Sequence, residues 1–186
     1  MHRKLRIIAA AVLSFSAVSF AQSAAPVRIR GTIDAVDGSK LAVTARDGKK
    51  YTLTLDPQAQ ITEILPAQIT DIKNGTFVGT AAMPQADGTL QALEVQVFPE
   101  RMRGVGEGFH PFDLRPGSTM TNATAYDVVG TEGRTLTLKY KGGEKKLFVP
   151  PNVPIITYGP GDVSMLKPGA HANFSPTVPT SPTGFK

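Results

Sequence analysis

Apolar and polar residues alternate with a period of two along most of the chain after residue 26. Three such runs occupy 27–35, 41–45 and 51–55. A period of two predicts strands with one buried face. The breaks between the runs are Asp37-Gly38 and Asp47-Gly48, whose chemistry suits the positive φ of tight hairpin turns. The first sixty residues therefore predict a three-stranded antiparallel meander.

The next segment predicts a short strand, a helix and two more strands. The short strand is expected at Ile61–Ile64, and a two-turn helix follows from the spacing of Leu65, Ile69 and Ile72 before Asn74-Gly75. Strands are then expected over 76–83 and 90–97, joined at Asp87-Gly88. Three strands, a helix and two strands is the element order of the five-stranded OB barrel, and an ordinary small β-sandwich or open barrel remains the alternative.

The second half of the chain repeats the pattern of the first at an offset of about 95 residues. The segment 132–138 matches 37–43, 142–145 matches 47–50, and Leu166-Lys167-Pro168-Gly169 matches Ile72-Lys73-Asn74-Gly75. The tail contains three prolines where a last strand is expected, and each removes a ladder donor. The sequence predicts an all-β protein of two repeated OB-like barrels or open barrels, with the following parts: a first unit 27–98, a linker 99–119, a second unit 120–174 without its last strand, and a disordered tail 175–186.

The first 21 residues have the pattern of a secretory signal peptide. Arg3, Lys4 and Arg6 precede an uncharged run over 7–20, and cleavage is expected after Ala21, with cleavage after Ser23 as the alternative. The run is shorter than the roughly 20 apolar residues that span a bilayer. We therefore expect a periplasmic or secreted protein with no membrane span after cleavage.

Charge and composition limit the function classes. Without residues 1–21 the chain carries 17 basic and 15 acidic residues, so no basic stripe for nucleic acid is expected. The absence of Cys excludes disulfides, thiol catalysis, Cys-ligated metals and lipid attachment through a lipobox. Lys139, Lys141, Lys145 and Lys146 are interpreted as a solvated sheet edge, with a polyanion-binding patch as the alternative.

The linker holds the candidate binding residues, which are charged or can ligate a metal: Arg101, Arg103, Glu107, His110, Asp113 and Arg115. Glu107, His110 and Asp113 are spaced by three residues, and a loop could bring all three to one zinc, nickel or copper ion. The favoured interpretation is that Glu and Arg side chains pair across the linker while Phe109 and Phe112 dock between the barrels.

Four segments resemble a known family. They are 79–85 (GTAAMPQ), 92–100 (ALEVQVFPE), 102–108 (MRGVGEG) and 118–124 (STMTNAT). They are similar to small exported bacterial proteins of unknown function, often given an automated metal-transporter-permease label. The resemblance covers residues 27–172 and implies no activity, and the chain departs from the family pattern after residue 172, where another turn and strand would follow.

These observations favour a non-enzymatic periplasmic binding or adaptor module that needs no cofactor. Expected partners are a protein, a peptide or a glycan, or a second copy of the chain through the open edge of the second unit. The alternative is a metal-binding protein or metal-dependent hydrolase that uses the linker residues. No Gly-x-Ser-x-Gly elbow or dinucleotide-binding loop is present in the sequence to support another class of enzyme.

Overall fold

A computed structural model describes residues 28–129 and 134–176 of the chain. The first half of this part contains six strands: β1 (Ile29–Asp37), β2 (Lys40–Ala45), β3 (Lys50–Thr54), β4 (Thr62–Pro66), β5 (Phe77–Pro84) and β6 (Leu90–Val97). The second half contains six more: β7 (Gly108–Pro111), β8 (Thr119–Val129), β9 (Thr135–Tyr140), β10 (Gly143–Phe148), β11 (Ile155–Pro160) and β12 (His171–Phe174). The predicted all-β class is confirmed.

The helical content of the described residues is limited to single 3₁₀ turns at Ile69–Asp71, Glu100–Met102 and Val163–Met165. The expected two-turn helix at 66–73 is wrong in length, because Leu65 and Pro66 continue strand β4 and leave room for one turn only. Leu65 pairs with Thr157 of β11 and Pro66 with Ile156. A long-range strand pairing therefore replaces the first half of the predicted helix.

Five strands close a barrel in the order β10, β9, β8, β5 and β6. The closure is made by β6, which runs antiparallel to β5 and parallel to the end of β10, where Leu147 faces Leu90. Beyond Leu90, β6 also pairs in parallel with β11, and β11 pairs with β4. The central core of the barrel is the larger of two apolar clusters and includes Val78, Leu136 and Leu138.

The other four strands form a separate open sheet in the order β12, β1, β2 and β3. The predicted meander of β1, β2 and β3 is confirmed, and Gly38 in its first turn has a φ of +56°. The buried face carries Ile33, Val43 and Leu53, while Thr52 is exposed, as the alternation predicts. The strand alternation thus gave the correct buried face of the open sheet.

The sheets do not follow the expected division into one barrel for each half of the chain. The closed barrel combines β5 and β6 of the first half with β8, β9 and β10 of the second. The open sheet combines β1, β2 and β3 with the C-terminal β12. We expected the open edge in the second unit, beside Lys145 and Lys146. In the structure β10, which carries both lysines, pairs with β9 along its whole length and with β6 only at Leu147 and Phe148, while β12 forms an edge of the open sheet.

The same backbone hydrogen bonds occur in both halves of the chain, at positions shifted by 94 residues. Ala67 donates its N–H to the carbonyl of Ile155, and Gly161 donates its N–H to the carbonyl of Ile61. The two donors are 94 residues apart in sequence, and so are the two acceptors. The strand register also matches, with a shift of 94 residues from β5 to β12 and of 92 residues from β1 to β8. Phe77 of β5 faces Thr124 of β8, and His171 of β12 faces Thr32 of β1. The open sheet and the barrel therefore contain equivalent pairs, in which β12 occupies the position of β5.

Among the described residues, no helix has the length and apolar character needed to cross a membrane. The expected signal peptide at residues 1–21 and most of the expected tail, residues 177–186, lie outside the described residues.

Candidate binding groove on the open sheet

The start of the linker is held against the barrel by its arginines. Arg103 forms a salt bridge with Glu100, with Nε 2.6 Å from Oε1, and donates to the carbonyl of Gly75. The hydrogen bond from Arg103 holds the pKa of the Glu100 carboxyl below its usual value. Arg101 donates to the carbonyl of Tyr158 at 3.4 Å. The expected Glu–Arg pairing in the linker is present here, and these two arginines hold the linker to the fold.

The middle of the linker forms strand β7 along β8. Glu107 accepts a hydrogen bond from the backbone N–H of Lys141 at 3.0 Å. His110 lies opposite Met120 in the strand pair, and its imidazole covers Gly108 so closely that a Cβ there would lie 2.7 Å from Nε2. Glu107 and His110 therefore both contact the backbone of the barrel region, at Lys141 and Gly108.

The end of the linker reaches the open sheet. Asp113 accepts two hydrogen bonds from Arg30 of β1, at 2.9 and 3.0 Å. The adjacent Phe112 ring has the guanidinium carbons of Arg28 and Arg30 at 5.3 and 5.2 Å from its centroid, within the range of cation–π attraction. Arg30 thus contacts both linker residues. The hydrogen bonds from Arg30 lower the pKa of the Asp113 carboxyl.

Ser118 fixes the loop that follows Asp113. Its hydroxyl oxygen lies 2.7 Å from the carbonyl oxygen of Arg115 and 3.0 Å from that of Phe112, so its single O–H is shared between them, and the N–H of Arg115 donates to the same hydroxyl oxygen. Ser118 is buried. The backbone of Arg115 is therefore held in a compact turn.

The structure does not bring together the residues of the alternative metal site, Glu107, His110 and Asp113. No group of three or more His, Asp or Glu side chains in residues 28–129 and 134–176 lies close enough to hold a metal ion. The physical reason is visible for two of the three candidates, because Glu107 binds the backbone of Lys141 and Asp113 binds the guanidinium of Arg30.

Two adjoining grooves lie on the open sheet, with Arg30 and Arg46 in the lining of both. One, of about 360 Å³, is at the end of the sheet beneath Asp113 and Leu114. The other, of about 450 Å³, crosses the outer face and reaches Ile64 of β4. We call this second space the β12 groove, and its lining includes Arg30, Arg46, Ile64, His171 and Asn173.

The β12 groove has polar walls and one apolar side. The hydroxyl of Thr32 and Nδ1 of His171 are 2.9 Å apart, and Thr44 donates to Asp34 at 2.6 Å. Ile64, by contrast, is 46% exposed, although it is an aliphatic residue in a paired strand. Such a surface can hydrogen-bond an extended chain and also bury an apolar side chain.

Of the six predicted binding residues, the structure brings only Asp113 to the grooves, where it lines the one at the sheet end. Sequence reasoning missed Arg30, Ile64, His171 and Asn173, which belong to three different strands. One signal was available. His171 and Asn173 lie 94 residues after Phe77 and Gly79, so the repeat pattern marked a polar replacement on an otherwise matched strand.

Comparisons of the chain with protein-family models, with curated proteins and with solved structures gave no match.

Proposed function

We propose that the protein is an exported, non-enzymatic binding or adaptor module that binds its ligand on the open sheet. The single observation that carries the proposal is the β12 groove, where charged and polar side chains surround the exposed Ile64. Convergent polar groups around an apolar surface are typical of a recognition site. Export follows from the leader pattern of residues 1–21 and is part of the proposal.

We also infer that the two halves of the chain are copies of one OB-like unit that have exchanged strands. The support is that the same backbone hydrogen bonds occur in both halves, at positions shifted by 94 residues. Ile72 donates its N–H to Ile69, and Leu166 donates to Val163, which are the same positions in each half. In this arrangement each half gives the strand after its 3₁₀ turn to the sheet of the other half.

The proposed ligand class is a peptide or protein segment, because an open sheet offers backbone groups in a regular row. A glycan is the competing class. Both can be tested by adding pools of short peptides, and separately pools of oligosaccharides, to the isotope-labelled protein and following its backbone amide signals by NMR.

The proposal predicts that peptides shift the amide signals of Arg46, His171 and Asn173, and that Arg46→Glu reduces the shifts. Lys73→Glu is the matched control, since Lys73 is an exposed cation outside the groove lining. Shifts confined to the barrel strands, or no shifts with either pool, would contradict the proposal.

A further inference from the structure

In the barrel, an aromatic side chain occupies the position that corresponds to the β12 groove. Phe98, directly after β6, donates its N–H to the carbonyl of Phe77 at 3.1 Å. Its ring centroid lies 5.5 Å from that of Phe77 and 5.6 Å from that of Tyr158, with which it stacks. A Cβ on Gly79 would lie 2.8 Å from the Phe98 ring, so only glycine allows this approach. Phe98 is thus held by a backbone hydrogen bond to the edge of β5 and by contacts with three neighbours, Phe77, Gly79 and Tyr158.

The same three neighbours have equivalents around the β12 groove. His171 lies 94 residues after Phe77, Asn173 lies 94 after Gly79, and Ile64 lies 94 before Tyr158, and all three line the groove. In the barrel, Gly79 of β5 is paired with Asn122 of β8, whose Oδ1 lies near the glycine. In the open sheet, the corresponding pair is Asn173 of β12 with Arg30 of β1. Among the described residues, none takes the place of Phe98 at this site.

The backbone beside the groove is oriented to accept a strand. Ile33 of β1 donates its N–H to the carbonyl of Ala170, and register places Gly31 opposite Ala172. In an antiparallel pair, alternate residues direct their backbone groups to the partner strand. Ala172 and Phe174 therefore bond to β1, whereas the N–H and C=O groups of His171 and Asn173 point away from it.

We propose that this edge accepts a short extended segment of a partner protein, antiparallel to β12, which inserts an aromatic side chain between Ile64 and His171. The inference rests on the proposed binding function and names its ligand. The partner segment would pair with β12 as β6 pairs with β5 in the barrel. There Val97 faces Val78, and the N–H of Phe98 donates to the carbonyl of Phe77. Strand addition provides main-chain hydrogen bonds, and the groove selects the side chain.

The length of the segment follows from the length of β12. This strand covers four residues, His171–Phe174, and Pro176, which has no N–H, follows. About four partner residues can therefore pair. Arg46 lines the groove beside Arg30, whose guanidinium already binds Asp113, so an acidic residue close to the aromatic anchor can pair with Arg46. A second copy of this chain is disfavoured as the donor, because its matching segment in β6 already pairs with β5, β10 and β11.

The test uses the full chain and a capped synthetic peptide with the sequence of residues 92–100, ALEVQVFPE, which has the strand pattern, the aromatic anchor and two acidic residues. Binding is measured by NMR titration of the labelled protein. We expect shifts at His171 and Asn173, and an affinity that falls at least about tenfold when the peptide phenylalanine becomes serine.

Protein variants locate the contact. Ile64→Asp is expected to weaken peptide binding at least about tenfold, because it puts an acid where the aromatic ring must insert. Val163→Asp is the matched control, since Val163 is also exposed and lies outside the groove, and it should change the affinity less than about twofold. The unfolding midpoint of each variant shows whether it remains folded.

The remaining outcomes overturn the inference in distinguishable ways. If this peptide fails to bind while other peptides or oligosaccharides still shift the groove signals, the strand inference is wrong and the proposed binding function survives. If the protein alone forms a dimer that Ile64→Asp abolishes, the occupant is a second copy. Equal binding of the serine peptide would exclude an aromatic anchor.

Discussion

The closed barrel and the open sheet differ by one strand, although their other strands pair in matching register. In the barrel, β5 is covered on both sides, by β8 and β6. In the open sheet, the equivalent β12 pairs with β1, and no further described strand lies beyond it. The apolar clusters differ accordingly, with 12 buried residues in the barrel cluster and five in the cluster of the open sheet.

This comparison shows how a missing strand changes a surface. Where β6 is present, the buried ring of Phe98 fills the space beside Phe77 and Tyr158. Where no equivalent lies among the described residues, His171 and Asn173 stand in a groove next to an exposed Ile64. The same backbone arrangement is a structural contact in one sheet and a candidate binding site in the other.

The largest expected effect concerns the two cores. Leu138→Ala in the barrel is expected to cost about 4 kcal/mol of unfolding free energy, near the upper end for buried leucines, because Leu138 has no solvent exposure. Leu53→Ala in the open sheet is expected to cost about 2–3 kcal/mol, because its cluster is smaller. Denaturant unfolding measures both. A larger loss for Leu53 would reverse the order of stability that the comparison gives.

A second expected effect concerns the aromatic ring that the open sheet lacks. Phe98→Ala should cost about 3 kcal/mol or more, because the ring packs between two other aromatic rings and over Gly79. Phe109→Ala is the control: Phe109 is 37% exposed and should cost about 1 kcal/mol or less. If thermal unfolding gives equal losses, Phe98 is not a central contact of the barrel.

A third prediction uses the tyrosine of the same aromatic group. Burial raises the pKa of Tyr158 to about 12, with the charge of Glu94 as a further cause. Because the folded state favours the neutral phenol, the stabilisation is present below the unfolded pKa of about 10 and is lost as pH rises towards 12. The ultraviolet absorbance difference between wild type and Tyr158→Phe should titrate near pH 12. A midpoint near 10 would mean that the phenol is open to solvent.

The smallest expected effect concerns the contact between linker and open sheet. Asp113→Asn should cost less than about 1 kcal/mol at neutral pH, because the Asp113 side chain is 57% exposed and water screens the pair with Arg30. The pKa of Asp113 is lowered from 3.8, so this stabilisation is full above pH 3.8 and disappears as pH falls through the folded pKa. Unfolding of both proteins across pH 2–7 tests this. A difference that grows in acid would contradict it.

Local patterns in the sequence predicted the individual strands but not their partners. Alternation identified β1, β2 and β3, and turn residues identified their hairpins, because both signals act over a few residues. Which half supplies the strand beside β1 depends on contacts such as Thr32 with His171, 139 residues apart in sequence. The open edge at β12 was therefore not predicted from the sequence.

The candidate site was predictable only in part for the same reason. The linker contains Asp113, which the composition marked as a candidate, and it does contact Arg30. Ile64 and His171 belong to ordinary strands, and neither carries a local signal of function. Only the comparison of each position with the residue 94 places away shows that the aromatic pair Phe77 and Tyr158 is replaced there.

Amide hydrogen exchange at two equivalent residues tests the central claim most directly. Gly79 faces Gln96 of β6, whereas the N–H of its equivalent, Asn173, points away from β1. We expect the Asn173 amide of the free protein to exchange at least about 100-fold faster than that of Gly79, and to slow when the peptide of residues 92–100 is added. Equal protection of both amides in the free protein, or no change at Asn173 with bound peptide, would contradict an open strand-accepting edge.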